Sequence, residues 1–188
     1  MTWNIEGFHR NIHSLKFFIE EYNPDLIFLS EPQMYLCNAD LDFQYLKGDF
    51  SYELNSPDQF DPELPLVKSR AEGGTMVIWR NSLDPHITRL PTPSPSMLPF
   101  SFHPPYCQQS FHVCVYLPTS GHEARFLDEL SKLSTLLYDL SQKNPNAPIF
   151  IRGDLNASIK NVKRRALLNS ILDVEIRNFT RIRQKILR

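Results

Sequence analysis

The chain reads as an α/β protein, a four-layer sandwich of two packed mixed sheets flanked by helices. Three observations predict this. A strand–helix–strand pattern occurs twice, over residues 2–30 and 111–152, and the stretch between them is rich in short strand candidates and turn residues. The length, 188 residues, suits one domain spanning 1–188 with a sizeable core. Two sheets that each bury one face on the other and one under helices leave no apolar layer exposed. No repeat of fixed period is present.

Taken in order, residues 2–5 form a short strand entering Gly7. Residues 11–22 place Ile12, Leu15, Ile19 and Tyr22 at steps of three and four, one face of a helix that Asn23-Pro24 stops. LIFLS at 26–30 is a near-continuous apolar run, as a strand covered on both faces requires. Strand candidates follow at 43–47, 50–54, 75–80, 86–90 and 109–117, separated by the proline-rich SPDQFDPELP and PTPSPSMLPFSFHPP. The second proline-rich stretch reads as a long loop or a partly disordered segment. Residues 122–142 put Phe126, Leu130, Leu133, Leu137 and Leu140 on one helix face. Pro145 and Pro148 then bracket the turn into a strand at 149–152, and a third helix at 161–173 leads to a basic end.

Hydrophobic residues are 41% and charged residues 22% of the chain, the balance of an ordinary water-soluble domain. No apolar run approaches the roughly 20 residues of a membrane helix. MTWNIEGF has neither the basic start nor the apolar middle of a secretory signal, so an intracellular site, nucleus or cytoplasm, is expected. The cysteines, Cys37, Cys107 and Cys114, are odd in number and form no CxxC pair. Spacing allows a Cys107–Cys114 bridge, but reduced thiols are the favoured reading. The six histidines show no HxH spacing, and zinc is not expected. The net charge of −1 hides an asymmetry: 11 basic against 19 acidic residues over 1–159, and 9 against 2 over 160–188. A basic end suits a phosphate-bearing partner, and equally a solvated helix face.

In α/β folds ligands gather at the carboxyl ends of strands, and three polar groups of residues sit at such ends. Asn4 ends the first strand, Glu31 follows LIFLS, and Asp154 with Asn156 follows IFIR. A Glu ending an apolar strand is costly to bury alone, and a hard cation such as Mg²⁺ is a natural partner. Asp154 and Asn156 lie two apart, so in extended chain they share a face and can address one reacting atom. One can hold or deprotonate a water while the other donates to a phosphate oxygen. Each also has a plainer reading: Asp154 as a turn residue, Asn4 as a turn cap, Glu31 before Pro32 as a solvated loop residue.

The ordered set TWNIEGF, LIFLSEPQ, EGGTMVIWR, VCVYLPTSG and IFIRGDLNA resembles the endonuclease/exonuclease/phosphatase superfamily. That superfamily includes deoxyribonuclease I, abasic-site endonucleases, sphingomyelinases, inositol-phosphate 5-phosphatases and the endonuclease domains of LINE-type retrotransposons. TWNIEGF, YLPTSG and the GG strand after a variable loop look most like the retrotransposon endonucleases. The resemblance implies Mg²⁺ (or Mn²⁺)-dependent phosphodiester hydrolysis, with DNA as partner. It implies Glu31 as metal ligand with Asn4 beside it, and Tyr116 touching the scissile phosphate through its hydroxyl. It implies Asp154 orienting or deprotonating water, Asn156 on the phosphate, and Gly73 and Gly74 as structural. Lys160, Lys163, Arg164 and Arg165 follow the GDLNA turn, where nucleic-acid phosphates or plain solvent can lie.

The departures are as informative. Family members end with a strand carrying an Asp and then a Ser-Asp-His motif, and no Ser-Asp-His occurs in this sequence. By resemblance the fold is therefore expected to lack its C-terminal strands, to expose a sheet edge and to associate. Activity is expected to be weak or lost. Pro32 follows Glu31 where the family more often has Thr. Two alternatives stand beside the endonuclease: an inactive remnant that at most binds nucleic acid, and a phosphatase of the same superfamily.

Overall fold

The two strand–helix–strand units of the sequence fold into two separate sheets of four strands each, packed face to face. The computed structural model describes residues 1–69, 71–157 and 161–177. In chain order the first half comprises β1 (Thr2–Asn4), α1 (Phe8–Tyr22), β2 (Leu26–Ser30), α2 (Leu36–Phe43), β3 (Phe50–Asn55), α3 (Leu64–Val67) and β4 (Thr75–Arg80). The second half comprises β5 (Ile87–Arg89), β6 (Met97–Phe102), β7 (Ser110–Tyr116), α4 (Glu123–Lys143), β8 (Ile149–Asp154) and α5 (Val162–Arg177).

The first sheet has the order β1-β2-β4-β3 and the second β5-β6-β7-β8. The crossovers through α1 and α4 make β1 parallel to β2 and β7 parallel to β8, and the remaining pairs are antiparallel. Phe28, Val77, Trp79, Leu98, Phe100 and Cys114 fill the space between the sheets. The opposite faces are covered by α1 and α2, which bury Phe8, Ile12, Leu15, Ala39 and Phe43, and by α4, which buries Phe126, Leu130, Leu133 and Leu137. Each of the larger side chains among them, the Phe, Ile and Leu, contributes about 1.5–3 kcal/mol by leaving water. β1 and β8 are the outer strands on one side of the sandwich and lie against each other.

Two expectations fail. The predicted strand at 43–47 is the end of α2 and a turn. Asp58, far along the chain, supplies this helix's missing cap: its carboxylate accepts from the backbone N–H of Leu36 at 2.9 Å. A window around residue 40 contains no sign of that cap. The proline-rich 91–105 is not all loop, because Met97–Phe102 is the interior strand β6. Pro99 is tolerated because it lies opposite Leu90, one residue beyond the end of β5, and its carbonyl still accepts from the Leu90 N–H at 2.9 Å. In an antiparallel strand N–H and C=O of one residue face the same neighbour. The missing N–H therefore costs only the last bond of the β5–β6 ladder, at its end.

Candidate active site

Parallel pairing brings the carboxyl ends of β1 and β2 together in one sheet and those of β7 and β8 in the other. The registers align Asn4 with Ser30 and Tyr116 with Asp154. Asn4, Glu31, Tyr116 and Asp154 therefore meet at one end of the sandwich, each half-buried.

A single amide ties them. Asn4 Nδ2 donates to Glu31 Oε1 at 2.9 Å and to Asp154 Oδ2 at 3.0 Å, linking the two sheets. Gln33 Nε2 donates to the other Glu31 oxygen at 3.4 Å. Asp154 Oδ1 accepts from the Asn156 backbone N–H at 2.9 Å. The Asn156 side-chain amide donates to the carbonyl of Leu117, the residue after Tyr116, at 2.6 Å. Each carboxylate thus has both oxygens in defined directions with lone pairs left over.

Tyr116 completes the set. Burial first, then the negative charges of Glu31 and Asp154, hold the phenol well above its ordinary value, while Arg125 pulls the other way. The hydroxyl therefore stays protonated and acts as a donor. A Cβ on Gly73 would come within 3.3 Å of Tyr116 Cε1, so this glycine gives the ring its room.

The backbone here is strained. Glu6, Glu31, Gln33 and Asn156 all have φ near +50° (48°, 53°, 54° and 46°). For side chains other than Gly this region costs about 1–3 kcal/mol each and is concentrated at functional sites. Gly153, with φ +123°, explains the Gly of GDLNA: a Cβ there would lie 2.0 Å from Val115 O.

These residues fit a hard divalent cation of one kind. Among the described residues no group of three or more His, Cys, Asp or Glu side chains is placed to enclose an ion. Glu31 and Asp154 instead offer carboxylate oxygens bonded to one nitrogen. Mg²⁺, which keeps several waters and takes one or two carboxylates, matches such a half-open oxygen site.

The other expected residues separate. Lys163 and Arg165 are exposed on α5, and Lys160 lies outside the described residues. Arg164 does not face solvent: it is 1% exposed, with its guanidinium inside the protein. It is thus not available to a phosphate. Its place four residues before buried Leu168 and seven before partly buried Ile171 marked it as apolar-face, a signal masked by the run Lys-Arg-Arg. Gln33 and Arg125 were not singled out by the sequence. All three cysteines are free, Cys37 and Cys107 exposed and Cys114 buried. No helix among the described residues is long and apolar enough to cross a membrane.

Comparison with known proteins places the fold. The fold matches AP endonuclease LMAP from Leishmania major with a TM-score of 0.69 at 17% identity, over 94% of this chain and 65% of that one. It matches the 3′ phosphatase NExo from Neisseria, bound to a product DNA hairpin, at 0.62 and 10% identity, over 92% and 69%. It matches the human Nocturnin catalytic domain at 0.62 and 15% identity, over 93% and 68%. The chain thus spans less than two thirds of the Leishmania enzyme. No curated protein matches the sequence significantly. The sequence pattern of the Endonuclease/Exonuclease/phosphatase family matches residues 1–174, and the chain belongs to that family.

Proposed function

We propose that the chain is a Mg²⁺ (or Mn²⁺)-dependent phosphodiester hydrolase, a DNA endonuclease of retrotransposon origin. One observation carries the reading: a single Asn4 amide bonds to Glu31 and Asp154 from opposite sheets, at the strand ends where this fold binds ligands. The motifs TWNIEGF and YLPTSG support the retrotransposon ancestry. The DNA hairpin in the Neisseria structure supports DNA as substrate class. The free cysteines accord with a nuclear or cytoplasmic location.

In this reading Glu31 would hold the ion, with Asn4 fixing the direction of its carboxylate. The ion would supply electrostatic stabilisation of charge developing on the phosphate. Asp154 orients a water and accepts its proton as the water oxygen bonds to phosphorus and the bond from phosphorus to the departing sugar oxygen breaks, that oxygen taking its proton from solvent. Tyr116, kept protonated, donates to a non-bridging phosphate oxygen. Asn156 directs its remaining amide hydrogen to the same group. Lys163 and Arg165 offer exposed charges to flanking phosphates, and we place Lys160 with them.

A second reading, a protein that binds nucleic acid without cutting it, is supported by the lack of a Ser-Asp-His motif in this sequence. Nicking of supercoiled plasmid separates the two. The enzyme reading expects nicking that needs Mg²⁺, stops with EDTA and is lost in Asp154→Ala. Folded protein that retards DNA without nicking it overturns it in favour of the second.

A further inference from the structure

We propose that Arg164 is a positioning residue that fixes the Tyr116 loop against the Asp154 loop, an inference that rests on the catalytic reading of that site. Arg164 is the largest fully buried side chain among the described residues. Its bonds account for its whole donor fork. Nε and Nη2 donate to the two Glu123 oxygens at 3.1 and 3.0 Å. Nη2 also donates to Thr119 O at 2.9 Å, and Nη1 to Pro118 O at 2.6 Å and Asn156 O at 3.3 Å. The guanidinium lies over the Phe126 ring, 4.0 Å from its centroid.

These acceptors belong to different segments. Pro118 and Thr119 lie in the loop that leaves Tyr116, Asn156 in the loop that leaves Asp154, and Glu123 in the first turn of α4, while Arg164 itself begins α5. One planar group thus fixes four segments at a point behind the site. The loops have two further ties, Asn156 Nδ2 to Leu117 O and the Leu117 N–H to Asp154 O at 2.9 Å. Arg164 adds the tie that connects both loops to helices.

A buried guanidinium is a costly way to fill space, because apolar residues of similar volume commonly serve as well or better for stability. Glu123 is mostly exposed, with a side-chain exposure of 60%, so the ion pair with it contributes little. What arginine supplies and an apolar residue cannot is five donors in a rigid fork. Here three of its bonds go to loop carbonyls. An arginine so engaged has no donor left for DNA, which separates it from its neighbours Lys163 and Arg165.

The test uses the full chain as Arg164→Met and Arg164→Lys, reading amide hydrogen exchange at Leu117 and Asn156 together with plasmid nicking. Arg164→Met is expected to speed exchange at these two amides about tenfold, with the amides of β6 and β7 unchanged. It is expected to lower kcat while leaving KM alone, and Arg164→Lys to recover part of both. Should Arg164→Met fail to fold, Arg164→Lys and Glu123→Gln carry the same readouts with smaller changes expected. Unchanged exchange at Leu117 and Asn156 would overturn the proposal. So would a raised, salt-sensitive KM at constant kcat, the mark of a phosphate contact. If wild-type protein never nicks DNA, the catalytic reading fails on its own, and the exchange measurement still decides whether Arg164 holds the loops.

Discussion

Replacing Asn4 by alanine tests whether the two sheets share one polar junction. The amide makes two bonds to carboxylates, at 2.9 and 3.0 Å, between strand ends 27 and 150 residues apart in sequence. Hydrogen bonds to charged groups are each worth about 1.5–3 kcal/mol. All three groups are half-exposed, so water can replace part of what is lost and the lower end applies, about 3 kcal/mol for the pair. The substitution also leaves Glu31 and Asp154 facing each other without the donor between them, which adds repulsion of the same sign. Urea unfolding of wild type and Asn4→Ala, without divalent metal and with saturating Mg²⁺, measures the effect. Asn4→Ala is expected to lose about 3 kcal/mol without metal, and to regain much of it with Mg²⁺ because a bound cation stabilises the folded state by mass action. An alanine variant as stable as wild type in metal-free buffer would refute the reasoning.

Two further predictions concern the structure that supports the site. His112 is buried between Phe100 and Phe150, with ring centroids at 5.1 and 5.0 Å, and among the described residues the side chain that hydrogen-bonds it is Ser110, 3.1 Å from Nε2. Burial, and then the positive charge of Arg152, push its pKa from 6.5 down to about 4. The native state thus binds fewer protons than the unfolded state between these values, so stability is full above pH 6.5 and falls as pH drops towards 4. At 1.36 kcal/mol per unit the full loss is about 3 kcal/mol. Between pH 7.5 and pH 4.5 wild type should therefore lose about 2.5 kcal/mol more stability than His112→Phe, as measured by denaturation at both pH values, and equal losses would count against it. Gly153→Ala should destabilise by about 3 kcal/mol or more, because its Cβ would lie 2.0 Å from Val115 O at a φ only Gly adopts freely. Unfolding within 1 kcal/mol of wild type would show that β7 and β8 can part without cost.

What was legible in the sequence were features written locally. The apolar runs LIFLS and IFIR and the spacing of Phe126, Leu130, Leu133 and Leu137 appear as β2, β8 and the buried face of α4. The polar residues at strand ends were legible for the same reason: a Glu or Asp directly after an apolar strand stands out. Features set by distant partners were not. The cap of α2 comes from Asp58. The strand through Pro99 exists because the β5 ladder ends opposite it. Arg164 was misread because composition weighs three adjacent basic residues alike, whereas the phase of α5 turns only one of them inward. The strained φ of Glu31 and Asn156 had no sequence mark either, beyond the tolerance of Asn for that region.

The most direct test of a single metal-dependent site is the rate of plasmid nicking, at saturating Mg²⁺, by wild type, Glu31→Gln, Asp154→Asn and the double variant. Residues that act as a unit are strongly non-additive. The account predicts Mg²⁺-dependent nicking by wild type, a loss of about a hundredfold or more in each single variant, and a double variant no slower than the worse single. Wild-type protein that melts cooperatively yet leaves the plasmid supercoiled would contradict it, as would two single losses that multiply in the double.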